Sequence, residues 1–476
     1  MRRLVGVGLA LVLGGPALAR GKPGVQISAG TERDLYVSGE DIRLRISLHN
    51  AGSRAVRVPT PFDNRNWEPK YVVRGPRGTR TFSAREAALP QASGTPPRSE
   101  AVLIELAPGE KLEREVPLHR MADLRAPGKY AISLRLRWGA LQAASQEVVF
   151  RVEPARIRGA TLIEDPRGVR VLWLQAGQSG LLMEQLFLES VVEPTGLTTH
   201  LVRRVAAAPA AATAPFGTPF RESLAEALHY WRGFREPGAL VAIGAGDARV
   251  RIPVADGALV AQNAFLAPDG AVEIAVADGR TLSLVGSPGT SWTVELPQAA
   301  SAIAAAERLD RKGGRKIAVL AAVLDDLELS LVDATARERR PMARAEGTAQ
   351  LAGSRLALFV ADDGSSQAAT LVSRGGKAAL LQARFDAGGA PIGGVKVDDV
   401  PGLDALPTAA AVAFRPSGEI AWAALLSSGA IVSSVSRKPA RVSGAVLVPM
   451  QLHASERNLY LLVQPADGAP ALEQLF

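Results

Sequence analysis

The chain has 476 residues, carries 55 Lys and Arg against 47 Asp and Glu, and contains no cysteine. That excludes disulfides, thiolate nucleophiles, iron–sulfur clusters and cysteine zinc sites, so stability must come from packed cores, and the length allows two or more. The net charge of +8 is interspersed rather than gathered in a block, and the 5% of aromatic residues do not interleave with it, which argues against nucleic-acid binding and leaves at most a weak attraction to anionic envelope polymers.

Met1-Arg2-Arg3 opens the chain, residues 4–13 are apolar, and Gly14-Gly15-Pro16-Ala17-Leu18-Ala19 follows. A basic start, a short apolar core and a small-x-small end are the parts of a secretory signal peptide, 1–19, with cleavage expected after Ala19 or within a residue or two. The apolar core falls short of the roughly 20 residues that span a bilayer. Export to the periplasm or the extracellular space is therefore expected. Losing Arg2 and Arg3 takes the charge from +8 to about +6. No cysteine follows the core, so no lipid anchor is expected, and no later run is long and apolar enough for a transmembrane segment.

Residues 24–154 read as a β-sandwich. Ile42, Leu44, Ile46 and Leu48 alternate with Arg43, Arg45 and Ser47, the period of a half-buried strand. The pattern returns at 132–138. Shorter strands are predicted at 25–28, 56–58, 71–74, 102–106, 112–116 and 148–152. Turns at Asn50-Ala51-Gly52, Gly75-Pro76-Arg77-Gly78, Ala107-Pro108-Gly109 and Ala126-Pro127-Gly128 separate them. The strand–turn–strand of 42–58, and Leu124-Arg125-Ala126-Pro127-Gly128-Lys129-Tyr130 leading into a late strand, resemble the immunoglobulin-like modules of bacterial secreted proteins. The resemblance spans roughly a quarter of the chain, and the disulfide of antibody domains is absent. It implies a module that positions a neighbour or binds a partner. Phe62, Asp63, Asn64, Arg65, Asn66 and Trp67 form its richest polar and aromatic cluster. They are the candidate binding loop, against the plainer reading that Phe62 and Trp67 anchor a long loop on the sheet.

From 157 to 476 short apolar strands recur in pairs across Gly- and Asp-containing turns. The pairs are 169–174 with 181–188, 240–243 with 249–254, 271–276 with 281–285, 316–320 with 327–332, 356–360 with 368–372, 419–425 with 430–435, and 459–463 with 471–476. Steps of about 40 to 45 residues match a four-stranded propeller blade. The fold class is thus all-β: an immunoglobulin-like sandwich followed by a β-propeller-like domain of about six to seven blades, without WD or kelch signatures. An Ala/Pro stretch at 206–215 reads as a linker. Leu224, Leu228 and Trp231 predict a helix over 222–232, ended by Pro237-Gly238, so an insertion is expected at about 206–236.

Motifs for chemistry are few. The five histidines, His49, His119, His200, His229 and His453, show no metal-ligand spacing, and no Gly-x-Ser-x-Gly occurs. Gly244-Ala245-Gly246 follows an apolar run, but Arg249 stands where a dinucleotide fingerprint needs glycine, and alternation resumes after it, so a hairpin is expected. Gly375-Gly376-Lys377 lacks the rest of a phosphate loop. The pairs Asp325-Asp326, Asp362-Asp363 and Asp398-Asp399 read as turns rather than metal sites. No catalytic residue, metal or cofactor is singled out. The expected function is a non-enzymatic binding or scaffold protein that engages a protein or envelope polymer through the propeller's loops or central mouth. The alternative is a hydrolase or lyase acting on a polysaccharide or peptide at the propeller centre, a reading by fold analogy that requires acids, bases or arginines to converge in one pocket.

Overall fold

The computed structural model describes residues 24–475 other than 89–99, 119–120, 166–167, 177–179, 190–196, 200–201, 219–229, 245–247, 267–270, 287–289, 310–314, 324–325, 334–337, 346–348, 352–353, 362, 388–389, 404 and 467–468. The expected leader, 1–19, lies outside them. The chain forms two compact units. The first takes Ile42–Asp123, Lys129–Arg151 and the residues up to Asp34, and the second takes Leu35–Asp41, Leu124–Gly128 and Val152–Phe476.

The two units therefore interleave, and two segments inside the expected 24–154 module belong to the second unit. Their packing explains why. Val37 is buried among Val169, Trp173, Val202 and Leu462. Ser38 N donates to Glu153 O at 2.8 Å, and Asp41 N to Val202 O at 3.0 Å.

In the first unit, Arg43–Asn50 pairs antiparallel with Val25–Thr31 on one side and Lys111–Pro117 on the other. Period-two alternation buries Leu44, Ile46 and Leu48 and leaves Arg43 and Arg45 exposed, where both face Glu115. In a second sheet Lys70–Gly75 lies between Gly78–Phe82 and Gly128–Trp138, and the latter also pairs with Leu141–Ala144. Tyr71, Val73, Ile132, Leu134 and Leu136 are buried there. The ring of Tyr71 stacks on Phe82, and that of Tyr130 on Phe150. Val56–Pro59 and Leu103–Leu106 form a small third sheet. Every strand predicted in this region is present. Asn50 explains one turn: its amide donates to Arg54 O and Leu106 O, and its carbonyl accepts from Gly52 N, so the side chain replaces missing strand partners.

The second unit is a succession of antiparallel meanders. The first runs Ile157–Asp165, Gly168–Gln175, Gly180–Glu189, and then Leu197–Thr199 with Arg203–Ala208. The next is Thr213–Gly217, Arg232–Glu236, Ala239–Ile243 and Arg249–Pro253. Leu259–Leu266, Val272–Asp278, Thr281–Gly286 and Thr290–Glu295 follow. Then come Ala300–Leu309, Arg315–Val323, Asp326–Asp333 and Glu338–Ala345. After them stand Ala357–Val360, Ser366–Arg374, Lys377–Phe385 and Lys396–Asp399. Ala409–Phe414, Ile420–Leu425, Ile431–Ser433 and Ser436–Ala440 precede the last sheet. There Leu459–Gln464 lies between Ala471–Gln474 and an edge shared by Ala445–Val446 and Leu452–Ala454. All the strand pairs predicted from the sequence are hydrogen-bonded neighbours.

Apolar seams join each meander to the next. Ala206, Ala208 and Leu174 pack on Phe234 and Ile243. Phe216 and Leu240 pack on Ile274 and Val285. Phe265 and Trp292 meet Ala305 and Ile303, and Ala304 meets Ala368 and Phe385. Leu371 and Ala378 meet Val412 and Trp422. Ala423 and Ile431 meet Leu459 and Leu461. The last sheet returns to the first, where Leu462 packs against Val171 and Trp173. Successive small sheets face to face, with the last against the first, make this unit a β-propeller.

Three expectations change. Residues 206–215 are no simple linker, because Arg203–Ala208 and Thr213–Gly217 are strands. Their alanines sit in a narrow seam where larger side chains would not fit, so a composition typical of linkers is here a packing requirement. The predicted helix lies largely outside the described residues. Its end, Arg232, begins a strand, and Pro237-Gly238 is the hairpin turn between Glu236 and Ala239 rather than a helix stop. Asp398 and Asp399 lie on the strand Lys396–Asp399, where exposed carboxylates suit an edge open to solvent. Asp325 and Asp362 lie outside the described residues, and Asp326 begins the strand Asp326–Asp333. Gly375 and Gly376 take φ of +56° and +78° in a two-residue hairpin, and Asp363 accepts from Ser365 N.

Candidate functional site

The first strand of every meander contributes to one cavity of about 690 Å³. Its walls come from Ile157–Asp165, Thr213–Gly217, Leu259–Leu266, Ala300–Leu309, Ala357–Val360 and Ala409–Phe414, with the segment around Leu452–Ala454 completing the circuit. Two contacts show how these strands meet around it. Gly217 forms a parallel bridge to Asn263, joining two neighbouring first strands. Gln451 donates through its amide to Ala160 O at 2.7 Å and accepts from Leu162 N at 3.0 Å, joining the last sheet to the first.

Small residues recur on these strands: Ala160, Ala214, Ala261, Ala302, Ala357 and Ala411 all line the cavity. Strands converging on a common axis leave little room for side chains, which accounts for the alanines. Larger apolar groups also line it, including Leu356, Phe359 and Phe414, the two rings 5.6 Å apart. Val448, 63% exposed, is the most exposed of the large apolar lining residues.

Polar side chains on the wall are fewer. Glu164 faces the cavity, where solvent reaches it but protein surrounds it, and this desolvation raises its carboxyl above the ordinary range. Arg355 lines the wall from the segment preceding Ala357–Val360, and its buried Nη1 has no hydrogen-bond partner. Desolvation brings its guanidinium down to about 9, still a cation at neutral pH. No charged neighbour contributes to either shift, so Glu164 and Arg355 do not compensate each other. Arg158 and His453 complete the charged and titratable lining, with His453 stacked on Tyr460 at 6.1 Å. Among the described residues no cluster of three or more His, Asp or Glu is placed to hold a metal.

The candidate loop of the first unit is placed differently. Asn66 is 1% exposed, and its amide donates to Thr60 O, Thr60 Oγ1 and Val102 O while its carbonyl accepts from Val102 N. It thereby ties Thr60 to Val102 across the loop. Asp63 grips Arg65 at 3.0 Å, and that hydrogen bond holds its carboxyl below the usual range. Phe62 lies under Arg114. Trp67 stays 47% exposed, with the Arg85 guanidinium 5.0 Å and the Lys70 ammonium 5.6 Å from its ring centre. Asn64, Arg65 and Trp67 are the members turned to solvent.

The cavity residues escaped sequence reasoning because they come from strands scattered over most of the unit, and no local spacing links them. Recurring alanines in each first strand were the available signal.

No protein-family model and no curated protein matches the chain. Solved structures do. BBS1N, in complex with ARL6DN, is 9% identical, covering 65% of this chain and 88% of that one, with a TM-score of 0.39. Virginiamycin B lyase from Staphylococcus aureus is 12% identical over 68% of this chain and 95% of that one, with a TM-score of 0.36. The Dos1 propeller is 9% identical over 67% and 84%, with a TM-score of 0.34. Likenesses this distant carry no argument about function.

Proposed function

We propose that the protein is an exported, non-enzymatic binding protein, periplasmic or extracellular, whose propeller receives part of a protein or envelope polymer in its central cavity. The sheet order supports a closed ring of seven blades, with the Gln451 contacts as its clasp. The N-terminal unit, with its two larger sheets, takes the part of an immunoglobulin-like sandwich, and its Asn64, Arg65 and Trp67 offer a second contact surface.

One observation carries this reading. A cavity of about 690 Å³ whose walls mix apolar and polar groups has the size of a binding site, for which 300–1,000 Å³ is usual. The test is affinity capture from envelope extracts with the wild-type protein and Ser301→Trp. Ser301 is an exposed lining residue at a strand irregularity, so the indole fills space without entering the core. Wild type should retain a partner, and Ser301→Trp should retain at least about tenfold less, the loss expected when a pocket is occluded. Equal retention by both, or none by wild type, would sink the proposal.

The hydrolase or lyase reading has one observation in its favour: Arg158, Glu164, Arg355 and His453 converge on the same cavity. It requires turnover of a polysaccharide or peptide pool, followed by mass spectrometry, that Glu164→Gln abolishes. An unchanged pool removes it.

A further inference from the structure

We infer that the group entering the cavity is a monocarboxylate with an apolar body, its carboxylate held by Arg355. This rests on the cavity being the binding site and names the chemistry that it selects.

The argument begins with an unbalanced charge. A guanidinium withdrawn from water normally has a carboxylate or several carbonyl oxygens against its nitrogens, because an isolated buried charge is costly. Arg355 has a buried Nη1 with no acceptor. It is not buried in a core, where the cost would bring nothing, but on the wall of the cavity. Glu164, the other strongly desolvated charge on that wall, comes from the first meander and Arg355 from the fifth, and the two do not interact. The guanidinium therefore has no counter-charge among the described residues of the protein, and the part of Arg355 that lines the cavity is where a ligand oxygen would meet it.

The rest of the wall sets the ligand's other properties. Leu356 and Phe359 extend from Arg355 along the same segment, and Phe414 lies beside Phe359, so the surface next to the guanidinium is apolar. One planar guanidinium matches one planar carboxylate in a two-pronged hydrogen bond. Arg158 and Glu164 stand on the same strand, Ile157–Asp165, and their charges offset formally, which leaves one net cation on the wall to match one ligand carboxylate. A cationic ligand would leave Arg355 unpaired.

The probes are 4-phenylbutyrate, 4-phenylbutanol and 4-phenylbutylamine, which share one apolar body, titrated calorimetrically into the full-length mature protein. The carboxylate should bind at one site at least tenfold more tightly than the alcohol or the amine. Arg355→Met, which keeps the length and drops the charge, should erase that preference, and Arg355→Lys should restore part of it. Arg355→Met should also melt at a higher temperature than wild type without ligand, since an unpaired charge has gone, and this shows that the variant is folded. Equal affinity for all three probes, no binding of the carboxylate at millimolar concentration, or an unchanged preference in Arg355→Met overturns the inference. If the carboxylate is ignored while capture from envelope extracts still depends on an open cavity, the inference falls and the binding reading stands. If Ser301→Trp captures as well as wild type, the cavity itself is the wrong site.

Discussion

Glu164 and Arg355 are charges on the cavity wall, and each gives the protein a measurable property. Glu164 has a carboxyl raised by desolvation, so the folded state holds its proton to higher pH than the unfolded chain does. Its contribution is fully present below the unfolded value near 4.3 and is lost as pH rises through the raised folded value. Glu164→Gln, which cannot ionise, should therefore gain stability relative to wild type between pH 4 and pH 8. Because solvent reaches the carboxyl, the gain should be no more than about 1 kcal/mol. Urea denaturation of both proteins at the two pH values measures it, and a difference that stays constant with pH contradicts the assignment. Neither residue was legible from sequence, since a lone Glu or Arg in or beside a strand reads as a solvated charge. Asn66 shows the converse. Its cluster was conspicuous as a loop, but nothing in Asn64-Arg65-Asn66 distinguishes the exposed members from the one buried by four hydrogen bonds.

Among the elements, the central strands of the meanders were readable and several first strands were not, for a physical reason. The strands 169–174, 271–276 and 459–463 are rich in Val, Leu and Ile because both of their faces are covered, and such runs stand out. First strands crowd toward the axis and use alanine, which carries no strand signal, and alanines on the edge strand Arg203–Ala208 beside the first strand Thr213–Gly217 led 206–215 to be read as a linker. What joins elements across seams was also invisible, because it depends on single side chains. Arg170 binds Asp165 and Glu184, each at 2.7 Å, and Glu184 also binds Arg232 of the next meander at 2.5 Å. The Tyr230 ring lies 4.9 Å from the Arg170 guanidinium and 5.4 Å from that of Arg232. Glu184 is 3% exposed, so Glu184→Ala leaves two guanidinium groups short of a counter-charge and should cost about 3–5 kcal/mol in equilibrium denaturation. Gln451→Leu removes two hydrogen bonds but strands only Ala160 O and Leu162 N, and should cost about 1–3 kcal/mol. A smaller loss for Glu184→Ala than for Gln451→Leu would mean that the charged seam is not the stronger joint.

For the whole molecule, an all-β chain ending in a propeller was legible, but the boundary was not, because short stretches of the first 154 residues belong to the second unit. Nothing in the sequence singles out Leu35–Asp41. Yet Tyr36 and Val37 are 1% and 5% exposed, Glu40 bridges in parallel to Val202, and the Glu40 carboxylate lies 3.4 Å from Arg204. Val37 joins the seam where the last sheet returns to the first, among Trp173, Met183 and Leu462. A chain beginning at Val152 contains every propeller meander, so a linear division predicts that it folds as well as the full protein. The interleaved division predicts otherwise. Removing this segment uncovers Val169, Val202 and their neighbours and leaves Val202 O without the Asp41 N–H. Loss of two large buried side chains alone amounts to about 3–6 kcal/mol, comparable to much of the stability of an ordinary domain. The shortened chain should therefore melt well below the second unit of the intact protein or accumulate as aggregate. Val37→Asp in the full chain should lower the melting temperature of the propeller in the same direction. If the shortened chain is as stable as the full protein, the segment only rests on the propeller and the linear boundary is correct.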